Sequence, residues 1–98
     1  MTKHSLNLPQ GWEEYAWEFK AKGWFSEATL TTSGKKFRLN FYDLGRLAQE
    51  IESEFERGRV FFEPNLIIVQ SLTRSNMEDA VAQLIKRGDV SRLIADEE

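Results

Sequence analysis

EATLTTSGKKFRLNFYD, residues 27–43, holds two runs of alternating apolar and polar side chains on either side of Ser33-Gly34. A two-residue loop there fixes the register of an antiparallel hairpin, with Thr32 opposite Lys35, Leu30 opposite Phe37 and Ala28 opposite Leu39. Thr31 with Lys36 and Thr29 with Arg38 fall on the other side, because strand side chains alternate with period two. One face is apolar and the other polar. A slip of one residue would set Leu30 against Arg38 and mix the faces.

Upstream, Trp12 to Lys22 also alternates, with Tyr15, Trp17, Phe19 and Ala21 on one side and Glu14, Ala16, Glu18, Lys20 and Lys22 on the other. That pattern predicts a half-buried strand over residues 13–21. A turn at Lys22-Gly23 would pair Ala21 with Trp24, Phe19 with Ser26, Trp17 with Ala28 and Tyr15 with Leu30. Both turns place Ala28 and Leu30 inward, so Tyr15, Trp17, Phe19, Leu30, Phe37, Leu39 and Phe41 form one apolar face. Cross-strand pairs stabilise by only ~0.2–1 kcal/mol each, so that face has to be covered. Residues 1–11 are polar, carry Pro9 and Gly11 without an apolar period, and read as a mobile arm.

Two helices are available as cover. Asp43 is an N-cap for a helix whose Leu44, Leu47, Ala48, Ile51 and Phe55 recur at spacings of three and four, ending at Gly58 as a residue of positive φ. Glu50, Glu52, Glu54 and Glu56 occupy its solvated flank; residues two apart in a helix do not share a face, so these carboxylates spread around it instead of forming one acidic docking surface. Ser75-Asn76-Met77-Glu78 has the form of a capping box, and Met77, Ala80, Val81, Leu84 and Ile85 make the buried stripe of a second helix that stops at Gly88. Between the helices, residues 59–72, RVFFEPNLIIVQSL, read as a hairpin from Val60–Glu63 over Pro64-Asn65 into Leu66–Gln70. A single bulged strand is the alternative. The unbroken Leu66-Ile67-Ile68-Val69 implies an inner position in the sheet. Val90, Leu93 and Ile94 dock as a short extension.

The expected fold is therefore a two-layer α+β domain over residues 12–95, an antiparallel sheet in the order βββαββα with both amphipathic helices on one face. The 1–11 arm precedes it and an acidic tail, 96–98, frays after it.

Ninety-eight residues suit one domain, and 41% hydrophobic content with 12% aromatic suits a folded one. The chain has no cysteine and a single histidine, His4, which leaves no thiolate chemistry, no disulfide framework and little to ligate a transition metal. No apolar signal core opens the chain, and the longest aliphatic run is too short to span a bilayer, so a cytoplasmic protein is expected. Six basic and four acidic residues lie within residues 1–42, against seven and twelve in 43–98. The amino half is basic within an acidic whole, whose net charge of −3 disfavours non-specific duplex binding.

No nucleophile–base set, phosphate loop or carboxylate pair converges, so the residues predict neither an enzyme nor a cofactor. The open face of the meander is the candidate site. It presents Lys20, Phe25, Lys36, Arg38, Asn40 and Tyr42, with Glu14, Glu18, Glu27, Thr29 and Thr31 among them. Aromatic and arginine anchors of this kind suit a protein partner or self-association through the sheet. The same face would alternatively stack the bases of single-stranded nucleic acid.

Overall fold

The computed structural model describes residues 4–96. Its elements run β1 (His4–Asn7), α1 (Trp12–Lys22), β2 (Trp24–Thr32), β3 (Lys35–Tyr42), α2 (Leu44–Glu56), β4 (Leu66–Ile68) and α3 (Arg74–Arg87), with a 3₁₀ turn over Asp89–Arg92. The strands make one mixed sheet in the order β1-β2-β3-β4, and the class is α+β. β1, β2 and β3 are antiparallel, whereas β4 lies parallel to β3, and α2 belongs to the crossover that a parallel pair requires.

The hairpin at Ser33-Gly34 has the register expected from its alternation: Thr32↔Lys35, Leu30↔Phe37 and Ala28↔Leu39. Ser33 and Gly34 both have positive φ, 52° and 76°, as a two-residue turn matched to strand twist demands. Beyond Ala28 the register shifts, so that Phe25 pairs with Phe41 and Trp24 with Tyr42. The bulge sets Ser26 and Glu27 against the single residue Asn40 and turns Phe25 to the apolar face.

Residues 12–22 form a helix, not the first strand of a meander. Trp12, Ala16 and Phe19 sit at helical spacing within the alternation, and they are the residues of α1 that pack on the core. The Trp12 and Phe19 rings stack at 4.7 Å and both meet Phe25 edge-on. Gly23, with φ 73°, is a left-handed helix stop whose N–H donates to Phe19 O, not a hairpin corner. Glu13 and Glu14 in the first turn and Lys20 and Lys22 in the last complement the helix dipole. Tyr15 and Trp17, expected inside, are exposed.

β1 takes the position beside β2 that residues 13–21 were expected to fill. Leu6 lies opposite Leu30, and residues 4–7 are strand, not mobile arm; residues 1–3 lie outside the described range. The core is Trp12, Phe25, Ala28, Leu30, Phe37, Leu39, Phe41, Ile67, Val69, Leu72, Met77 and Val81, so α1 and α3 both cover the apolar face.

The expected hairpin over 60–70 does not form, and residues 59–63 carry no ladder. Pro64-Asn65 makes a turn, and β4 is an edge strand whose Ile67 is buried and Ile68 exposed, not an inner one. After α3, Val90 and Leu93 pack against the core, but Ile94 is exposed. Asp96, expected to fray, donates its N–H to Lys36 O at 2.8 Å; residues 97–98 lie outside the described range.

Both later helices keep their predicted stops at Gly58 and Gly88, and Asp43 caps α2 by accepting from Arg46 N at 2.8 Å. The cap of α3 is Thr73, not Ser75: its hydroxyl accepts from Asn76 N at 3.1 Å. Thr73→Ala should therefore cost about 1 kcal/mol in urea denaturation, within the ~0.5–2 typical of a lost cap. Ser75→Ala should change stability by less than about 0.5 kcal/mol.

Candidate functional site

The sheet face opposite the core divides into two parts. Lys36 and Arg38 stand exposed on β3, without an ion-pair partner among the described residues. Asn40 is half-buried and donates to Pro64 O at 2.8 Å, which ties it to the turn before β4. Tyr42 is buried under other side chains: Trp24 lies 6.4 Å from its ring and Phe61 stands edge-on at 6.2 Å. Phe25, on the core side of the bulge, is 3% exposed. Lys20 is exposed in the last turn of α1, a helix packed on the other side of the sheet. Of the six residues predicted for an open-face site, only Lys36 and Arg38 come together on an accessible surface. Neither predicted aromatic is available to stack or anchor.

Tyr42 is instead a buried tether. Its hydroxyl donates to Glu63 Oε1 at 2.7 Å, while Glu63 Oε2 and Trp24 Nε1 are buried without hydrogen-bond partners among the described residues. The phenol pKa is pushed far above its ordinary 10.0, first by burial, then by the hydrogen bond to Glu63 and by its charge. Glu50 pushes in the same direction and Arg46 opposes it. Above pH 10 the unfolded chain gives up a proton that the folded phenol keeps, so this contribution is full below pH 10 and is lost as pH rises beyond it. Tyr42→Phe should cost about 1–3 kcal/mol at neutral pH, because Glu63 is left with no donor. The variant should also lose stability less steeply than wild type above pH 10, which denaturant titration across the alkaline range would read.

Around this tether the residues from Leu44 to Ile68 build a different surface. The loop after α2 is held at both ends. Arg59 N donates to Glu54 O, and its guanidinium pairs with the Glu54 carboxylate at 3.0 Å. At the other end Asn65, with φ 55°, donates its amide to Arg38 O and Ile94 O and accepts from Ile94 N. Between those anchors the extended chain alternates: Phe61 and Glu63 point in, while Val60 and Phe62 are 81% and 77% exposed. Glu50 and Glu54 of α2 line one side of a groove of about 200 Å³ closed on the other by Val60, Phe61, Phe62 and Glu63.

α2 itself is turned away from its own apolar stripe. At 3.6 residues per turn Leu44, Ala48, Ile51 and Phe55 align along one side, and Leu47, Glu50 and Glu54 along a line roughly a quarter turn away. The second line faces the protein, since Leu47 is buried and Glu50 and Glu54 are half-buried, while Leu44 is 71% and Phe55 64% exposed. The expectation that Leu44, Ala48 and Phe55 join the core is thus corrected. The helix is held by Asp43, by Leu47 and by Arg46, whose guanidinium sits 6.0 Å from the Trp24 ring and 2.7 Å from Glu50. Leu44, Phe55, Val60 and Phe62, with the half-exposed Ile68 of β4, were not singled out from the sequence as a surface. The adjacent Val60-Phe61-Phe62 was the available signal, since an extended edge segment cannot bury three consecutive large side chains on one face.

No family model matches this chain, and neither a curated protein nor a solved structure matches it. Among the described residues no helix is long and apolar enough to cross a membrane.

Proposed function

We propose that this domain is a cytoplasmic protein-interaction module, acting by binding and not by catalysis, and that its contact surface is the outer side of α2 with the loop behind it. One observation carries the reading: Leu44, Phe55, Val60 and Phe62 all stand more than half exposed on α2 and the loop after it, which are held in place by Asp43 at Gly23, by Arg59 on Glu54 and by Asn65 on β3. Isolated exposed apolar residues are ordinary, but a stripe of them along a held helix, with two more on the loop that adjoins it at Glu50 and Glu54, supplies the apolar area an interface core requires. Lys36 and Arg38 would serve at most as a charged margin on the neighbouring sheet face.

The test is a pull-down from source-cell lysate using wild type, the Leu44→Ser/Phe55→Ser double variant and Arg38→Glu as baits. The expected result is a protein retained by wild type and Arg38→Glu and lost by the double variant. A protein lost with Arg38→Glu alone would move the surface to the sheet. Nothing retained by wild type above empty resin would end the reading.

A further inference from the structure

The contact surface proposed above has a spacing and a charge that specify its partner, and we infer that α2 docks a basic amphipathic helix of another protein. This rests on the outer side of α2 being the interface. Leu44, Ala48, Ile51 and Phe55 follow intervals of four, three and four, the spacing at which helices interlock side by side. The stripe runs about three turns of helix, roughly 16 Å at 1.5 Å per residue, long enough for one short helix to lie along it.

The charge is read from which carboxylates are already neutralised. Glu50 is paired with Arg46 and Glu54 with Arg59, both on the side of α2 that faces its own protein. Glu52 and Glu56 are one turn apart on the other flank of the stripe, exposed and without an ion pair among the described residues. The solvent margin of the seam is therefore anionic. A second copy of the chain would bring the same carboxylates against one another along the seam, a like-charge arrangement that opposes pairing. Lysines or arginines flanking the apolar residues of a foreign helix would meet Glu52 and Glu56 as counter-ions.

Two dye-labelled helical peptides test this on the intact protein by fluorescence anisotropy. They share one leucine seam at three- and four-residue intervals, with lysines at the flanking positions in one and glutamates in the other. The lysine peptide should bind about tenfold or more tightly than the glutamate peptide, the scale of 1.4 kcal/mol of charge discrimination. Glu52→Lys/Glu56→Lys should reverse the preference, and Leu44→Ser/Phe55→Ser should abolish binding of either peptide. Equal affinity for both peptides, lost in the serine variant, would overturn the basic partner and leave the surface standing. Binding of the lysine peptide unaffected by the serine variant would remove the surface itself. Binding of neither peptide would overturn the inference, as would a dimer in sedimentation that the serine variant disperses.

Discussion

Phe41→Ala is expected to destabilise the protein by about 3–5 kcal/mol, while Phe55→Ala leaves stability within about 0.5 kcal/mol of wild type. Each phenylalanine sits on a periodic apolar stripe, Phe41 on an alternating strand and Phe55 on a helix. Phe41 is wholly enclosed on the face covered by α1 and α3, so truncation removes its packing and leaves a cavity. Phe55 already faces water over most of its surface and its removal opens no void. Domains of this size have only about 5–15 kcal/mol in hand, so Phe41→Ala should bring the urea midpoint down sharply. A loss above about 2 kcal/mol for Phe55→Ala would mean that α2 packs through its apolar stripe, and the interaction surface would go with it.

Gly23→Ala is expected to cost about 2–4 kcal/mol, combining a left-handed residue that acquires a Cβ with the displacement of a helix cap. Gly23 has φ 73°, and a Cβ built there would fall 2.5 Å from the Asp43 carboxylate. That carboxylate cannot swing away freely, since it accepts from Arg46 N, and Asp43 N in turn donates to Gly23 O at 2.8 Å. The end of α1 and the start of α2 are thus one joint. Gly58 provides the control: its φ is also 73°, but no atom lies within 4 Å of its added Cβ, so Gly58→Ala should cost only about 1 kcal/mol. In the double variant Gly23→Ala/Asp43→Ala the clash partner is gone, and the combined loss should fall short of the sum of the singles. Additive losses would show that the contact between Gly23 and Asp43 carries no energy.

The hairpin over residues 27–43 was legible down to individual pairs, and the reason is local. A two-residue turn permits one register, and the alternation of Ala28, Leu30, Phe37 and Leu39 agrees with it. The stops at Gly58 and Gly88 and the cap at Asp43 were legible for the same reason: each is decided by a backbone conformation or a side-chain oxygen within a few residues. The stripe of α3 followed from its spacing.

What failed were the questions that neighbours decide. Residues 12–22 carry both a two-residue and a 3.6-residue period, and the helical one prevails because Trp12 and Phe19 close around Phe25, which the bulge at Ser26-Glu27 has turned inward. The bulge has no sequence signature, so Phe25 was assigned to the wrong face. Tyr42 was placed on the correct face, but Phe61 and Glu63, about twenty residues away, cover it. The spacing of Leu44, Ala48, Ile51 and Phe55 is enough to place an apolar stripe along α2. Which side of the helix packs is set by contacts distant in sequence: Asp43 at the Gly23 joint and Arg46 over Trp24 fix its rotation, so that it rests on Leu47, Glu50 and Glu54 and leaves Leu44 and Phe55 in water.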